Sequence, residues 1–363
     1  MKTCSDIRVF CPQPELAKHK RYEADELLRE LLKPDPISAF VVGIGGSGKS
    51  SLMRAFAQKI SATRQIYILA YQNSVAAKNN GMTIHQFCRK MAAGEITFPA
   101  TIFVDEIFYC NLFVLSRLVH YFQLPELNWV LCGDPSQPES QGAWRGKVAK
   151  NNLANGRFSS FLPEAYIVLE NDFRSLCPVL KDFRARLRQA TEEQVPAFIE
   201  EGRKLFTARA PFDTCIVLSH AKRLKICKET DRTWRQEHPH ISHRIVRCED
   251  LGSFALYVGL SLKALHSGTL TKGMWYKCVC LDPIELEEET LRWGEEKKRI
   301  LTITEEALAR EATLSCAVTA ASVQGDEKDR VCVADLDNPH MRKKNILEMC
   351  AGRARTAANL RFL

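Results

Sequence analysis

The sequence has 363 residues, 45% of them apolar and 26% charged, with a formal net charge of +8. That length leaves room for two or three domains with real cores, and the composition excludes a disordered or low-complexity chain. No apolar run approaches the roughly 20 residues that cross a bilayer as a helix, and the mildly basic balance suits a polyanionic partner without requiring one.

The fourteen cysteines include no CxxC pair and sit mostly in apolar runs, as at Cys132 and Cys332. They read as reduced, buried thiols of an intracellular, soluble protein, since no secretory signal pattern opens the sequence. The best zinc candidates, His238, His240, His243 and Cys248, have a spacing that fits no standard finger.

Residues 1–33 read as a helical lead-in. Leu27, Leu28, Leu31 and Leu32 form one stripe of a helix over 23–32, which Lys33-Pro34-Asp35-Pro36 stops. Unbroken apolar runs then recur at 39–42, 66–70, 101–104 and 129–132 with helical stretches or loops between them, the pattern of buried parallel strands. Residues 34–157 are therefore expected to form one α/β domain, closed by a Gly-, Asn- and Lys-rich linker over 142–157. A second α/β domain is expected over 158–363, with strands at 166–169, 214–218, 317–320 and 331–334. Within it, residues 251–285 alternate in the β manner around Gly268 and Gly273, which predicts a small β insertion. The charged run 286–298 reads as a solvated helix or loop.

The sharpest chemical signal is Gly43-Ile-Gly45-Gly46-Ser47-Gly48-Lys49-Ser50 followed by Ser51. It matches GxxxxGK[ST] between an apolar strand and a helix, the context in which backbone amides turn inward to cradle phosphates. Lys49 is expected to reach the β- and γ-phosphates of ATP and Ser50 to hold Mg²⁺. The apolar run Thr101–Val104 delivers Asp105 and Glu106. Asp105 suits Mg²⁺ through its water shell, and Glu106 suits the general base that polarises the attacking water. The next strand ends in Gly133-Asp134-Pro135-Ser136-Gln137, where Gln137 is placed to sense the γ-phosphate.

This order of motifs resembles superfamily 1 helicases, above all those of viruses. Further matches are Leu69 to Ala77, Thr83-Ile84-His85, Asn171 to Pro178 around Arg174, Ile216 to His220, Thr319 to Glu327 around Gln324-Gly325, and Glu348 to Arg355 around Arg353. Gly352 departs from the family, which has Ser or Thr there. The resemblance implies two tandem RecA-like P-loop domains, with ATP and Mg²⁺ bound to the first and Arg174 and Arg353 brought to the γ-phosphate by the second; Arg355 is the alternative register. Gln324 and Gly325 join the nucleotide contacts. Asn73, Thr83, His85, Ser219, His220 and Thr319 are the implied nucleic-acid contacts, largely to phosphate and sugar. Phe87, Trp144 and Trp275 are further candidates for base stacking, against the commoner use of such rings as core.

The implied activity is a 5′–3′ helicase or translocase on single-stranded nucleic acid and duplex junctions in viral genome replication. It would work with replication proteins in the host cytoplasm or nucleus, and away from membranes. The insertion resembles the SH3-like module of RecD-like and Dda-like helicases, which favours DNA slightly; the Arg174-Ser175-Leu176-Cys177-Pro178 wording resembles RNA-virus enzymes instead. A helicase-like movement protein that binds nucleic acid and unwinds little, a small-molecule P-loop kinase and an inactive scaffold are the alternatives. The kinase leaves the 133–137, 324–327 and 352–355 motifs unexplained.

Overall fold

The computed structural model describes residues 20–110, 112–122, 124–134, 141–144, 147–150, 165–323 and 325–363. The chain divides into two units between Arg174 and Ser175.

The first unit is built on a seven-stranded sheet, all parallel, in the order Lys20–Arg21, Ala165–Leu169, Ser38–Gly43, Leu127–Gly133, Ala100–Asp105, Gln65–Ala70 and Met82–Thr83. The apolar runs form the central strands because both faces of a parallel sheet are covered. Gly43, Gly133 and Asp105 all fall at carboxyl ends of neighbouring strands, the edge where such sheets bind ligands. Phe40, Leu69, Phe87, Ile102, Val104 and Trp129 fill one core cluster. Phe87 is fully buried and meets Trp129 and Tyr121 edge-on at 6.1 and 6.0 Å. It is therefore a core residue and no base-stacking platform; burial of a side chain this size contributes roughly 1.5–3 kcal/mol.

Two expectations are corrected here. The Ala165–Leu169 strand pairs with Ser38–Gly43 and so belongs to the first sheet, not to the second unit. An apolar run carries no mark of which sheet will take it. The segment expected as a linker contains an antiparallel hairpin of Gln141–Trp144 with Lys147–Lys150. The expected helix in the lead-in runs over Ala24–Leu31 with Leu27, Leu28 and Leu31 buried, and Leu32 stays exposed just beyond it.

The second unit holds a four-stranded parallel sheet in the order Ala317–Thr319, Thr214–Val217, Val331–Val333 and Leu360–Phe362. The last strand was not foreseen, because Arg361 interrupts its two apolar residues and no apolar run marks it. Between the first and second of these strands in sequence order the chain builds a five-stranded antiparallel sheet of Ile300–Thr302, Ile284–Glu288, Trp275–Leu281, Ser261–Ala264 and Ala312–Leu314. The β insertion thus reaches Leu314, well past the expected end at 285. The run expected to be all solvated contributes a strand, and Glu288 within it is fully buried and paired with Arg292. No helix among the described residues is long and apolar enough to cross a membrane.

Candidate nucleotide site and nucleic-acid groove

The phosphate loop leaves the Ser38–Gly43 strand and turns into the helix Lys49–Ile60. Gly46 and Gly48 have φ of 91° and 87°, a region costly for any side chain. A Cβ on Gly43 would lie 2.5 Å from Ser47 Oγ and 2.6 Å from Leu169 O. Lys49 is 6% exposed, and its Nζ donates to the loop carbonyls of Gly43 at 2.7 Å and Ile44 at 2.9 Å. The Ser47 hydroxyl oxygen is buried without a protein partner. A buried polar atom in that state costs free energy unless a ligand satisfies it, and the loop's chemistry fits a phosphate. Ser51 sits exposed in the first turn of the helix.

Asp105 ends its strand 3% exposed. Its Oδ2 accepts from Ser50 Oγ and from Asn79 Nδ2, each at 3.1 Å. The hydroxyl and the carboxylate meet as a Mg²⁺ site requires, with oxygen donors only. Glu106 follows with φ 54° and ψ 44°, a left-handed conformation uncommon outside glycine, and its amide donates to Asp105 Oδ1 at 3.0 Å. Strain of this kind collects at functional sites, held by the surrounding structure. Gly133 lies against Phe108, and Asp134 is buried; Gln137 and Gln324 lie outside the described residues.

Arg174 was expected from the second domain. It is instead the last residue of the first unit, because the Ala165–Leu169 strand leads the chain back across the phosphate loop. Phe173 N donates to Gly46 O at 3.0 Å, and Arg174 N to Asp172 Oδ1 at 3.0 Å. A Cβ on Gly46 would come within 2.5 Å of Arg174 Cβ. The Phe173 ring is 67% exposed and lies 3.8 Å from where a Gly48 Cβ would stand. The ring is thus exposed beside the phosphate loop, a placement that the sequence did not reveal although Phe173 lay inside a quoted motif.

Asn73, Thr83 and His85 come together in one open groove of about 630 Å³, with Gln86, Arg89, Arg117, His120 and Tyr121. Thr83 caps the helix Ile84–Ala92: its Oγ1 accepts from Gln86 N at 3.2 Å, and Gln86 Oε1 accepts from Thr83 N at 2.8 Å. That hydroxyl therefore has a structural duty. The cations come from Arg89, one helical turn beyond His85, and from Arg117 on the next helix; the helical period carries the signal for Arg89. Partial burial, then the Arg117 charge, holds the His85 imidazole below the usual histidine range.

In the second unit, Val217 and Thr319 are register partners on adjacent parallel strands. Thr319 and the Ser219-His220 pair therefore share one carboxyl edge. Ser219 caps the helix His220–Glu237, accepting from Lys222 N at 3.2 Å, and both Ser219 and His220 are exposed.

Arg353 is 3% exposed. Its Nε donates to Met349 O and its Nη1 to Asp326 O, each at 2.9 Å, so it grips the turn around Gly325. Gly325 itself has φ 78°. Arg355 is half exposed and pairs with Glu327 at 3.1 Å. Trp275 is a second correction to the stacking candidates. It is buried, its Nε1 donates to Asp326 Oδ2 at 2.6 Å, and Lys263 Nζ reaches the same oxygen at 2.8 Å. The inserted sheet is thereby bonded to the turn that Arg353 holds. The Trp144 side chain lies outside what is described. His238 and His243 pack on Trp234, at 5.4 and 5.7 Å between rings.

Residues 23–160 match the family model described as an AAA domain. No curated protein matches the chain. Among solved structures, the Pif1 helicase from Candida albicans superposes with a TM-score of 0.65 at 14% identity, over 94% of this chain and 93% of that one. Bacteroides Pif1 with ADP-AlF3 and single-stranded DNA gives 0.63 at 15% identity, over 93% and 91%. Bacteroides Pif1 bound to single-stranded DNA gives 0.62 at 14% identity, over 93% and 91%. At these identities the likeness defines the fold, which is that of RecA-like P-loop helicases.

Proposed function

We propose that this protein is an ATP-hydrolysing, superfamily 1 helicase that moves along single-stranded nucleic acid. The observation that carries the reading is the convergence, within one unit, of a phosphate loop with an unsatisfied buried hydroxyl, the Ser50–Asp105 pair and a groove lined by Asn73, His85, Arg89 and Arg117. A small-molecule kinase would have no use for that groove.

In this reading Gly43 to Ser51 and Lys49 bind the triphosphate, Ser50 and Asp105 hold Mg²⁺, and Glu106 takes the proton of the attacking water. Mg²⁺, when bound, neutralises phosphate charge in the transition state. Phe173 stacks on the base. Gln137, Gln324, Arg174 and Arg353 act on the γ-phosphate, with Arg353 as the finger. The groove, with Ser219, His220 and Thr319, grips the strand through its phosphates. We favour DNA, since the helicases of this fold bind single-stranded DNA in their own structures, together with 5′–3′ polarity, an SH3-like insertion and a role with replication proteins in viral genome replication.

Strand displacement on duplexes carrying either a 5′ or a 3′ single-stranded tail tests this. ATP-dependent opening from the 5′ tail is expected. Opening only from the 3′ tail overturns the polarity. ATP turnover without any opening supports the movement-protein alternative.

A further inference from the structure

The phosphate-loop helix, the Mg²⁺ carboxylate and the groove meet at one buried side chain. Asn79 is 2% exposed and follows the helix Asn73–Lys78. Its Nδ2 donates to Asp105 Oδ2 at 3.1 Å and to Val75 O at 3.2 Å. Its Oδ1 accepts from Arg54 Nε at 3.0 Å and Nη2 at 2.8 Å, and Arg54 belongs to the helix Lys49–Ile60. Both polar atoms of the amide are therefore engaged, with one bond to Asp105 and two to Arg54 on the phosphate-loop helix.

The same short segment runs into the groove on both sides. Asn73 opens the helix, and Thr83 and His85 stand just beyond its far end; all three line the groove. The connection is stiff. Ser74 to Ala77 are buried. Gly81 is pressed so closely on the Gln65–Ala70 strand that a Cβ would lie 2.1 Å from Ile68 O. Met82–Thr83 then pairs with Leu69–Ala70, so the groove wall and Asp105 belong to one sheet. A strand gripped at Asn73 and His85 cannot shift this segment without loading the Asn79–Asp105 bond, because packed elements transmit displacement and do not absorb it.

We propose that Asn79 is a positioning residue that couples strand binding in the groove to the placement of Asp105, and through it to ATP turnover. This rests on the helicase reading above. Asn79 touches neither substrate; it acts by holding Asp105 in register with Ser50 and Arg54. Asn79→Asp is the sharper of two variants. It keeps an acceptor for Arg54 but replaces the donor to Asp105 with a second carboxylate, which repels it. Asn79→Ala removes both links.

The test is ATP turnover with and without oligo-dT, at several Mg²⁺ concentrations, beside oligo-dT affinity by fluorescence anisotropy. Both variants should bind oligo-dT as the wild type does. Their stimulation by oligo-dT should fall by about 5-fold or more, the scale of a typical coupling between sites, and the Mg²⁺ concentration for half-maximal turnover should rise. A purely structural role would lower both turnover rates together and leave their ratio alone. Wild-type stimulation ratio and Mg²⁺ dependence in Asn79→Asp would overturn the proposal. Failure of the wild type itself to hydrolyse ATP or to bind oligo-dT would instead overturn the helicase reading.

Discussion

Arg184 lies directly over Gly352. A Cβ at position 352 would stand 2.9 Å from Arg184 Nη2 and 3.0 Å from its Cζ. The guanidinium cannot withdraw, because Glu348 Oε1 accepts from its Nη2 at 2.7 Å and Ser175 Oγ from its Nη1 at 2.8 Å, and Arg184 is only 1% exposed. The departure from Ser or Thr before Arg353 thus has a local cause. Gly352→Ser, though it restores the family wording, should destabilise the protein by about 1–3 kcal/mol through overpacking. Urea unfolding measures it, and a neutral or stabilising result would refute the contact.

Glu106→Gln should still bind ATP and hydrolyse it slower by about 10²-fold or more, as befits a lost general base. The change is isosteric, so the left-handed backbone at 106 should survive it. Single-turnover hydrolysis beside nucleotide binding separates the two steps. Wild-type turnover would remove Glu106 from the mechanism.

Arg353→Ala should cut turnover by about 10³-fold or more if the side chain is an arginine finger. It should also lower stability by about 1–3 kcal/mol, since the carbonyls of Met349 and Asp326 lose a buried donor. Arg355→Ala breaks an exposed pair with Glu327 and should cost about 1 kcal/mol or less. Comparing turnover and thermal unfolding of the two variants reads the register. A crippled Arg355→Ala beside a mild Arg353→Ala would shift the motif by two residues.

Affinity for single-stranded DNA should fall with salt at a log–log slope of about −0.7 per phosphate contact, and the slope should shrink in Arg89→Ala and Arg117→Ala. His85 adds a pH term. Its depressed pKa keeps it neutral at neutral pH, and as pH falls through that lowered value it gains charge beside the phosphates, so binding strengthens. The same depression works against stability, because the unfolded chain takes the proton first as pH falls. His85→Gln should flatten the acid limb of the binding curve. An unchanged curve would take His85 out of the groove's chemistry.

The phosphate loop and the carboxylates at the same sheet edge were legible because their signals are local: Gly43 to Ser50 and Asp105-Glu106 each need neighbours in sequence. What escaped was set by packing. Nothing about the wording of Ala165 to Leu169 says which sheet will accept it, and that choice carries Phe173 and Arg174 to the phosphate loop. Trp275 and Phe87 look alike as candidates for stacking; burial against Asp326 and against Trp129 removes both. Asn79 escaped because an asparagine after a short helix is ordinary, and only the fold brings it to Asp105. The groove was half legible, His85 from its motif and Arg117 only from the helix that packs beside it.

In the proposed function, nucleic acid in the groove drives chemistry at the phosphate loop. Steady-state ATP turnover of the wild-type protein, measured alone, with single-stranded DNA and with single-stranded RNA, tests it most directly. Low turnover is expected without nucleic acid and a rise of about tenfold or more with DNA, by a coupling of the usual size, with RNA weaker. Turnover that ignores both nucleic acids, or none at all, would contradict it.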